Sequence, residues 1–285
     1  MYKEVGISSN NVPITLSIWY TERNSPTIVF LPGTMSHPLM YENFLCGLSE
    51  RGFNIIGIHY LSHGKSPKIK KNYTMEDLLH NVYDATTYGI ENFGENIAVM
   101  GSSQGGILAA MAAGRDTRLK AVFPHNIMLT TLKETMSLTK YPAWSHRFMG
   151  LIQLGFRVGG KLLPNYKVPG DAYLDYDRVF YSEQAKQDCL NDPMLLPCYP
   201  LRFVASLFNA DLSCLENGAI QCPVILITAK GDPLFSFDYT SKVFDLIHVP
   251  KKELLTLELN RHMIFNEDTD TTINALEATL HKYLG

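Results

Sequence analysis

Three places in this 285-residue chain hold side chains whose types and spacing suit covalent chemistry. The first is Gly101-Ser102-Ser103-Gln104-Gly105, a G-x-S-x-G pattern in which the glycines flank Ser103 symmetrically. Alone the pattern is weak, but its setting is informative. It follows the apolar run Ile97-Ala98-Val99-Met100 directly and opens the small-residue run 106–113, which predicts a strand, a sharp turn and a helix. Such a turn uses glycine where backbones must approach, and it lifts the serine hydroxyl above the edge of a sheet. Ser103, and not Ser102, is then the candidate nucleophile.

A serine hydroxyl is weakly nucleophilic and needs a base that a third group holds in place. On a fold of this kind the acid and then the base follow the serine along the chain. The second place is Ala229-Lys230-Gly231-Asp232-Pro233, which puts Asp232 just past the end of an apolar run. The third is Asn260-Arg261-His262-Met263, in a loop between the last apolar run and the last helical stretch. His262 is the one histidine downstream of Asp232 in a strand-to-helix loop. His248 and His281 are expected on the surface. His37, His63 and His125 precede the acid and are expected near the rim of the site, and Asp238 falls in the first turn of the next helix. Acyl transfer places negative charge on a carbonyl oxygen, so backbone N–H donors must await it. The expected donors are Gln104, next to the nucleophile, and Thr34 in Pro32-Gly33-Thr34-Met35, with Met35 second.

The elements that must position these groups are legible in outline. Alternating patterns at 4–8 and 14–20 predict two strands around the turn residues Ser9-Asn10-Asn11. Runs at 28–31, 55–58, 97–100, 121–123, 224–227 and 254–257 are apolar throughout, as in central strands covered on both faces. Between them, Tyr41, Phe44, Leu45 and Leu48, and then Met75, Leu78, Leu79 and Val82, have helical spacing, with Thr74 as an N-cap. Ile273, Leu276, Leu280 and Leu284 give the last helix its apolar stripe. The alternation predicts an α/β chain with a mostly parallel, doubly wound sheet. It breaks between about 129 and 215, where no strand is evident. The expected division is a core of residues 1–130 and 216–285 with a helical lid, 131–215, inserted between the sixth and seventh strands.

These residues together resemble the α/β-hydrolase superfamily, and within it the monoacylglycerol lipase and serine aminopeptidase branch. Residues 41–53 are similar to that branch's helix and following Gly-Phe. His59-Tyr60-Leu61-Ser62-His63-Gly64-Lys65-Ser66 resembles its D-x-x-G-H-G-x-S stretch, departing at His59 and Ser62. Gly101-Ser102-Ser103-Gln104-Gly105-Gly106 stands where the family has G-H-S-M-G-G, and Pro32-Gly33-Thr34 where it has His-Gly-x. The resemblance covers residues 25–125 and 220–285 and implies the α/β-hydrolase fold. Members with Asp at this turn displace halide or open epoxides, and dienelactone hydrolases carry Cys. Serine implies acyl transfer to water with no metal and no cofactor.

Composition narrows the partners. Lys and Arg number 25 against 28 Asp and Glu, so the chain lacks the basic footprint of a nucleic-acid binder. At 46% hydrophobic and 19% charged it is not disordered. The five cysteines are irregularly spaced and are expected to be reduced and buried, in a cytoplasmic protein. Met1-Tyr2-Lys3-Glu4-Val5-Gly6 does not read as a signal peptide, and no transmembrane segment is expected. Residues 131–215 carry 12 of the 31 aromatics, which suits packing onto the core or an acyl pocket. Six bases against Glu134 alone lie between 131 and 167, and eight acids against three bases lie in 168–216. A solvated face is the plain reading of that asymmetry; the sharper one is a basic half drawing anionic substrate or anionic lipid to the mouth. Segment 144–163, with Phe148, Leu151, Ile152 and Phe156, is a candidate for peripheral lipid contact. The expected activity is hydrolysis of a small-molecule acyl ester or lipid-like substrate through an acyl-enzyme. The alternatives are a thioesterase, an aminopeptidase gripping an amine with Glu134 or Glu183, and a non-enzymatic binding protein. Oligomeric state is left open.

Overall fold

A computed structural model describes residues 1–69 and 72–285. Strands β1 (Tyr2–Ser9) and β2 (Val12–Trp19) form a hairpin whose turn places Asn10 and Asn11 at φ 48° and 63°. Asparagine tolerates those left-handed angles better than other side chains do. Then follow β3 (Thr27–Leu31), α1 (Glu42–Glu50), β4 (Asn54–His59), α2 (Met75–Phe93), β5 (Ile97–Ser102), α3 (Gln104–Ala113) and β6 (Ala121–His125). After an insertion the chain returns with β9 (Val224–Ala229), α8 (Phe237–Leu246), β10 (Lys252–Leu257), α9 (Ile264–Glu267) and α10 (Thr269–Leu284). The insertion carries α4 (Met149–Leu162), β7 (Lys167–Pro169), α5 (Tyr176–Val179), α6 (Glu183–Leu190), β8 (Cys198–Pro200) and α7 (Leu201–Leu207).

Eight strands make one sheet in the order β1-β2-β4-β3-β5-β6-β9-β10. It is parallel from β4 to β10, while β2 runs antiparallel to both neighbours. Strands β3 to β6 and β9 are buried at every residue, which explains their unbroken apolar runs. Side chains still alternate between faces. Val29, Ile56, Val99 and Leu226 join one core with α2, α3 and the insertion; Ile28, Phe30, Ile55 and Ile225 join the other with α1, α9 and α10. Helix α2 begins as expected: Asp77 Oδ2 accepts from both the Thr74 N–H and its hydroxyl, at 2.8 Å each.

The reading of 129–215 as free of strands needs correction. β7 and β8 pair antiparallel, with Val168 opposite Tyr199. Each is three residues long and ends on a proline, too short for an alternating signal, and the pairing is set by tertiary contact. The cysteines also differ from expectation: all five are unpaired, but each is half-buried.

Candidate active site

The parallel strands end on one edge, and their register brings the sequence-predicted residues there. Leu31 lies opposite Gly101, Ser102 opposite His125, and Leu257 opposite Ala229. The serine turn forms between β5 and α3, with Ser103 at φ 52°, ψ −112°. A non-glycine residue held at such angles is strained, and surrounding contacts must fix it. Ser103 N donates to His125 O at 3.0 Å, and Ser103 O accepts from Gly106 N at 2.8 Å. The glycines are required by space: a Cβ on Gly101 would lie 2.0 Å from Gly105 O, and one on Gly105 2.0 Å from Leu31 O. Ser102 is buried beside the Tyr41 hydroxyl, whereas Ser103 is partly exposed and lines a cavity.

Asp232 stands in the turn after β9, and each of its oxygens takes two hydrogen bonds. Oδ1 accepts from the N–H groups of Leu234 (2.8 Å) and Phe235 (2.9 Å). Oδ2 accepts from His262 Nδ1 (2.8 Å) and Asn126 Nδ2 (2.9 Å). Burial alone would push this carboxyl up; the charge and hydrogen bond of His262 outweigh it and hold the pKa below the usual carboxylate range. His262 gives its Nδ1–H to Asp232, so Nε2 is the ring nitrogen left to take a proton. Its ring stacks on Phe235 (5.5 Å between centroids, 9°) and leans on His125 (5.4 Å). His262 and Ser103 line the same cavity of about 60 Å3, with no hydrogen bond between them; such contacts often form only around substrate.

Opposite the imidazole lies the loop 33–37. Among the described residues the N–H groups of Thr34 and Gln104 have no acceptor, as oxyanion donors require. Met35, the second choice, is otherwise engaged: at φ 61° its N–H donates to the Tyr199 hydroxyl at 2.7 Å. The Tyr199 hydroxyl in turn donates to His63 Nε2 (3.0 Å), because His63 Nδ1–H is held by Leu61 O (2.8 Å). Two more bonds tie the insertion to this loop. Leu196 N donates to Met35 O at 3.0 Å, and His37 Nε2 donates to Asp192 Oδ2 at 2.8 Å.

Asn126 and Tyr199 were not anticipated. Asn126 follows β6 at φ 62° and binds Asp232, but no motif marks it; Tyr199 lies far along the chain from the loop it holds. Of the other histidines, His125 is buried against His262 rather than at the rim, and burial first, then His262, depresses it to about 3. His248 and His281 are exposed and Asp238 sits in the first turn of α8, as expected. Glu134 pairs with Lys242 and Glu183 with Lys186, and neither lines the cavity. Cys189 does line it, but burial and then Asp192 push its pKa up to about 12, so it stays a thiol and no rival nucleophile.

Among the described residues, one group could bring ligand atoms to a metal: those of His125, Asp232 and His262 lie within 4.8 Å of one another. The site does not suit an ion. His125 Nε2 already accepts from Asn126 Nδ2 at 3.0 Å, and Asp232 Oδ2 takes two hydrogen bonds. The arrangement as a whole can move a proton and stabilise an oxyanion.

The comparisons agree with this architecture. The Paleococcus ferrophilus monoacylglycerol lipase superposes with a TM-score of 0.78 at 18% identity, over 95% of this chain and 99% of that one. A soluble variant of the Saccharomyces cerevisiae monoglyceride lipase, solved with a substrate analogue, gives 0.76 at 16%, over 99% and 95%. A thermostable carboxyl esterase from Bacillus coagulans, solved with glycerol, gives 0.71 at 13%, over 100% and 99%. At these identities the likeness concerns the α/β-hydrolase fold. No curated protein sequence matches the chain. The family model described as "Serine aminopeptidase, S33" matches residues 22–269, and the chain therefore belongs to that family of α/β hydrolases.

Proposed function

We propose that this protein is a serine hydrolase that cleaves carboxylic esters through an acyl-enzyme. The observation that carries the reading is His262, fixed to the buried Asp232 at 2.8 Å and lining the same cavity as Ser103. Ser103 Oγ attacks the ester carbonyl carbon as His262 Nε2 takes its proton. Asp232 orients the ring and stabilises its cation, while the N–H groups of Thr34 and Gln104 hold the oxyanion. The C–O bond to the alcohol then breaks, and His262 returns its proton to the departing oxygen. Water, deprotonated by His262, attacks the acyl-enzyme and frees Ser103. Ser103→Ala should abolish both turnover of p-nitrophenyl esters and labelling by a fluorophosphonate probe. Retention of most of the turnover would mean another nucleophile.

In this reading residues 131–215 form the lid, set between core parts 1–130 and 216–285. The carboxylates proposed to grip an amine, Glu134 and Glu183, are paired elsewhere, which disfavours the aminopeptidase alternative. A second cavity adjoining the first is lined by Asp188, Asp192 and Glu267, so the charge nearest the mouth does not favour an anionic ester. The basic residues of the lid instead border an exposed apolar face of α4, formed by Leu151, Leu154, Val158 and Leu162 with Arg157 and Lys161 beside it. An apolar helix face with basic flanks suits an anionic lipid surface, and lipid contact belongs there. Among the described residues no helix is long and apolar enough to cross a membrane. The five unpaired cysteines fit a reducing, cytoplasmic setting.

A further inference from the structure

Ser103 stands between two cavities that share Thr34, Leu174 and Leu234. The outer one includes His262 and Met263. The inner one, about 40 Å3, includes Gln104 and Tyr173 but not His262, and most of its wall is hydrocarbon from residues such as Ile107, Met128 and Phe208. Two residues of that wall carry buried polar side-chain atoms that make no hydrogen bond of ordinary geometry among the described residues. Gln104 is 2% exposed, and neither Nε2 nor Oε1 makes a hydrogen bond of ordinary geometry, although its amide lies close to the Tyr199 hydroxyl; Tyr173 is 3% exposed and its hydroxyl has no partner among the described residues. The neighbouring Thr139 differs, since its hydroxyl donates to Met136 O at 2.7 Å. Native interiors keep few orphaned polar groups, and those they keep call for an explanation.

The chemistry decides which part of a substrate faces them. The imidazole that takes the Ser103 proton must deliver it to the departing oxygen, so the alcohol belongs on the His262 side, in the outer cavity. The acyl group then extends into the inner one. It is the smaller of the two, about 40 Å3 against about 60 Å3, which favours a short group. We propose that the inner cavity is a subsite for a short acyl group bearing a hydroxyl or carbonyl oxygen, bound by the Gln104 side-chain amide and the Tyr173 hydroxyl. Gln104 Nε2–H donates to that oxygen, and a substrate hydroxyl donates onward to Gln104 Oε1 or to the tyrosine oxygen. This deepens the esterase reading and rests on Ser103 as its nucleophile.

The test compares p-nitrophenyl 3-hydroxybutyrate with p-nitrophenyl butyrate on the full chain, on Tyr173→Phe and on Gln104→Met. A site built to bind an oxygen discriminates against the analogue without it. In the unmodified protein kcat/KM should favour the hydroxy ester by at least about tenfold. In either variant the ratio of the two esters should fall to about threefold or less, whatever the change in absolute rate. Tyr173→Phe keeps the ring packed on Phe208, and if it does not fold the Gln104→Met ratio decides alone. A ratio near one in the unmodified protein, or one unmoved in every folded variant, overturns the subsite and leaves ester hydrolysis standing. Full turnover of both esters by Ser103→Ala would overturn the nucleophile, and the subsite with it.

Discussion

The two halves of the proposed catalytic site are held in different ways. The acid–base half, Asp232, His262 and Asn126, hangs on loops after β6, β9 and β10 and is closed by hydrogen bonds among core residues. The oxyanion half, loop 33–37, is fastened from outside the core by Asp192, Leu196 and Tyr199 of the insertion. Sheet register and these hydrogen bonds within the core position the first half. The second is complete only when a segment some 160 residues away docks on it. In the proposed mechanism proton transfer is thus built into the scaffold, while one of the two oxyanion donors, Thr34, is tied to the insertion's position.

Acid is the bluntest way to break both halves. His59, His63 and His125 are fully buried by residue and held neutral, depressed to about 3, 4 and 3, in each case chiefly by burial. An unfolded histidine titrates near 6.5. Between that value and the folded pKa the unfolded chain binds more protons, so stability is complete above pH 6.5 and falls as pH falls toward 4. Each of the three should cost on the order of 1 kcal/mol per pH unit in that window. Urea midpoints measured from pH 7.5 to 4.5 should drop steeply below pH 6.5; a flat profile would mean that these imidazoles protonate without unfolding.

Within the acid–base half, Asp232→Asn should lower kcat by about 10³–10⁴-fold, since the imidazole loses its orienting acceptor and its counter-charge. Asn126→Ala removes one donor to the carboxylate and should cost about 10–100-fold, the equivalent of a hydrogen bond to a charged group. Equal losses from the two would show that Asn126 does more than steady Asp232. A smaller effect is expected in the other half. Tyr199→Phe keeps the ring but strands the Met35 N–H and His63 Nε2, both buried. We expect about 1–3 kcal/mol of lost stability and about a tenfold lower kcat with KM little changed, as when an interaction made only in the transition state is weakened. Amide exchange should speed up at Met35. If kcat and that amide are both unchanged in a folded variant, the insertion does not hold the loop.

The same contrast explains how much was legible in the chain. Ser103, Asp232 and His262 lie just past apolar strands, and parallel register carries such positions to one edge, so motif and order sufficed to place them together. The place of Thr34, in the loop after β3, was legible for the same reason. Tyr199 was not, because its partners are Met35 and His63 and nothing in a Cys-Tyr-Pro stretch announces a clasp. Asn126 belongs to no motif, and its left-handed backbone leaves no trace in hydropathy. The short pair β7 and β8 escaped because three residues cannot express a period of two.

The last contrast lies within the insertion, between the segment that clasps the loop and helix α4, which packs on α7 and leaves Leu151 and Leu162 66% and 74% exposed. The first should matter for catalysis and α4 only for location. The double substitution Leu151→Glu with Leu162→Glu removes little buried area, so the unfolding free energy read from urea titration should change by no more than about 0.5 kcal/mol and turnover of a dissolved p-nitrophenyl ester should be unchanged. Co-sedimentation with phosphatidylcholine vesicles containing phosphatidylglycerol should be lost, and that of the unmodified protein should weaken as salt is raised. A protein that never binds such vesicles, but forms a dimer that the substitutions split, would assign the face to a second copy of the chain. Binding that survives both charges would place the lipid contact elsewhere.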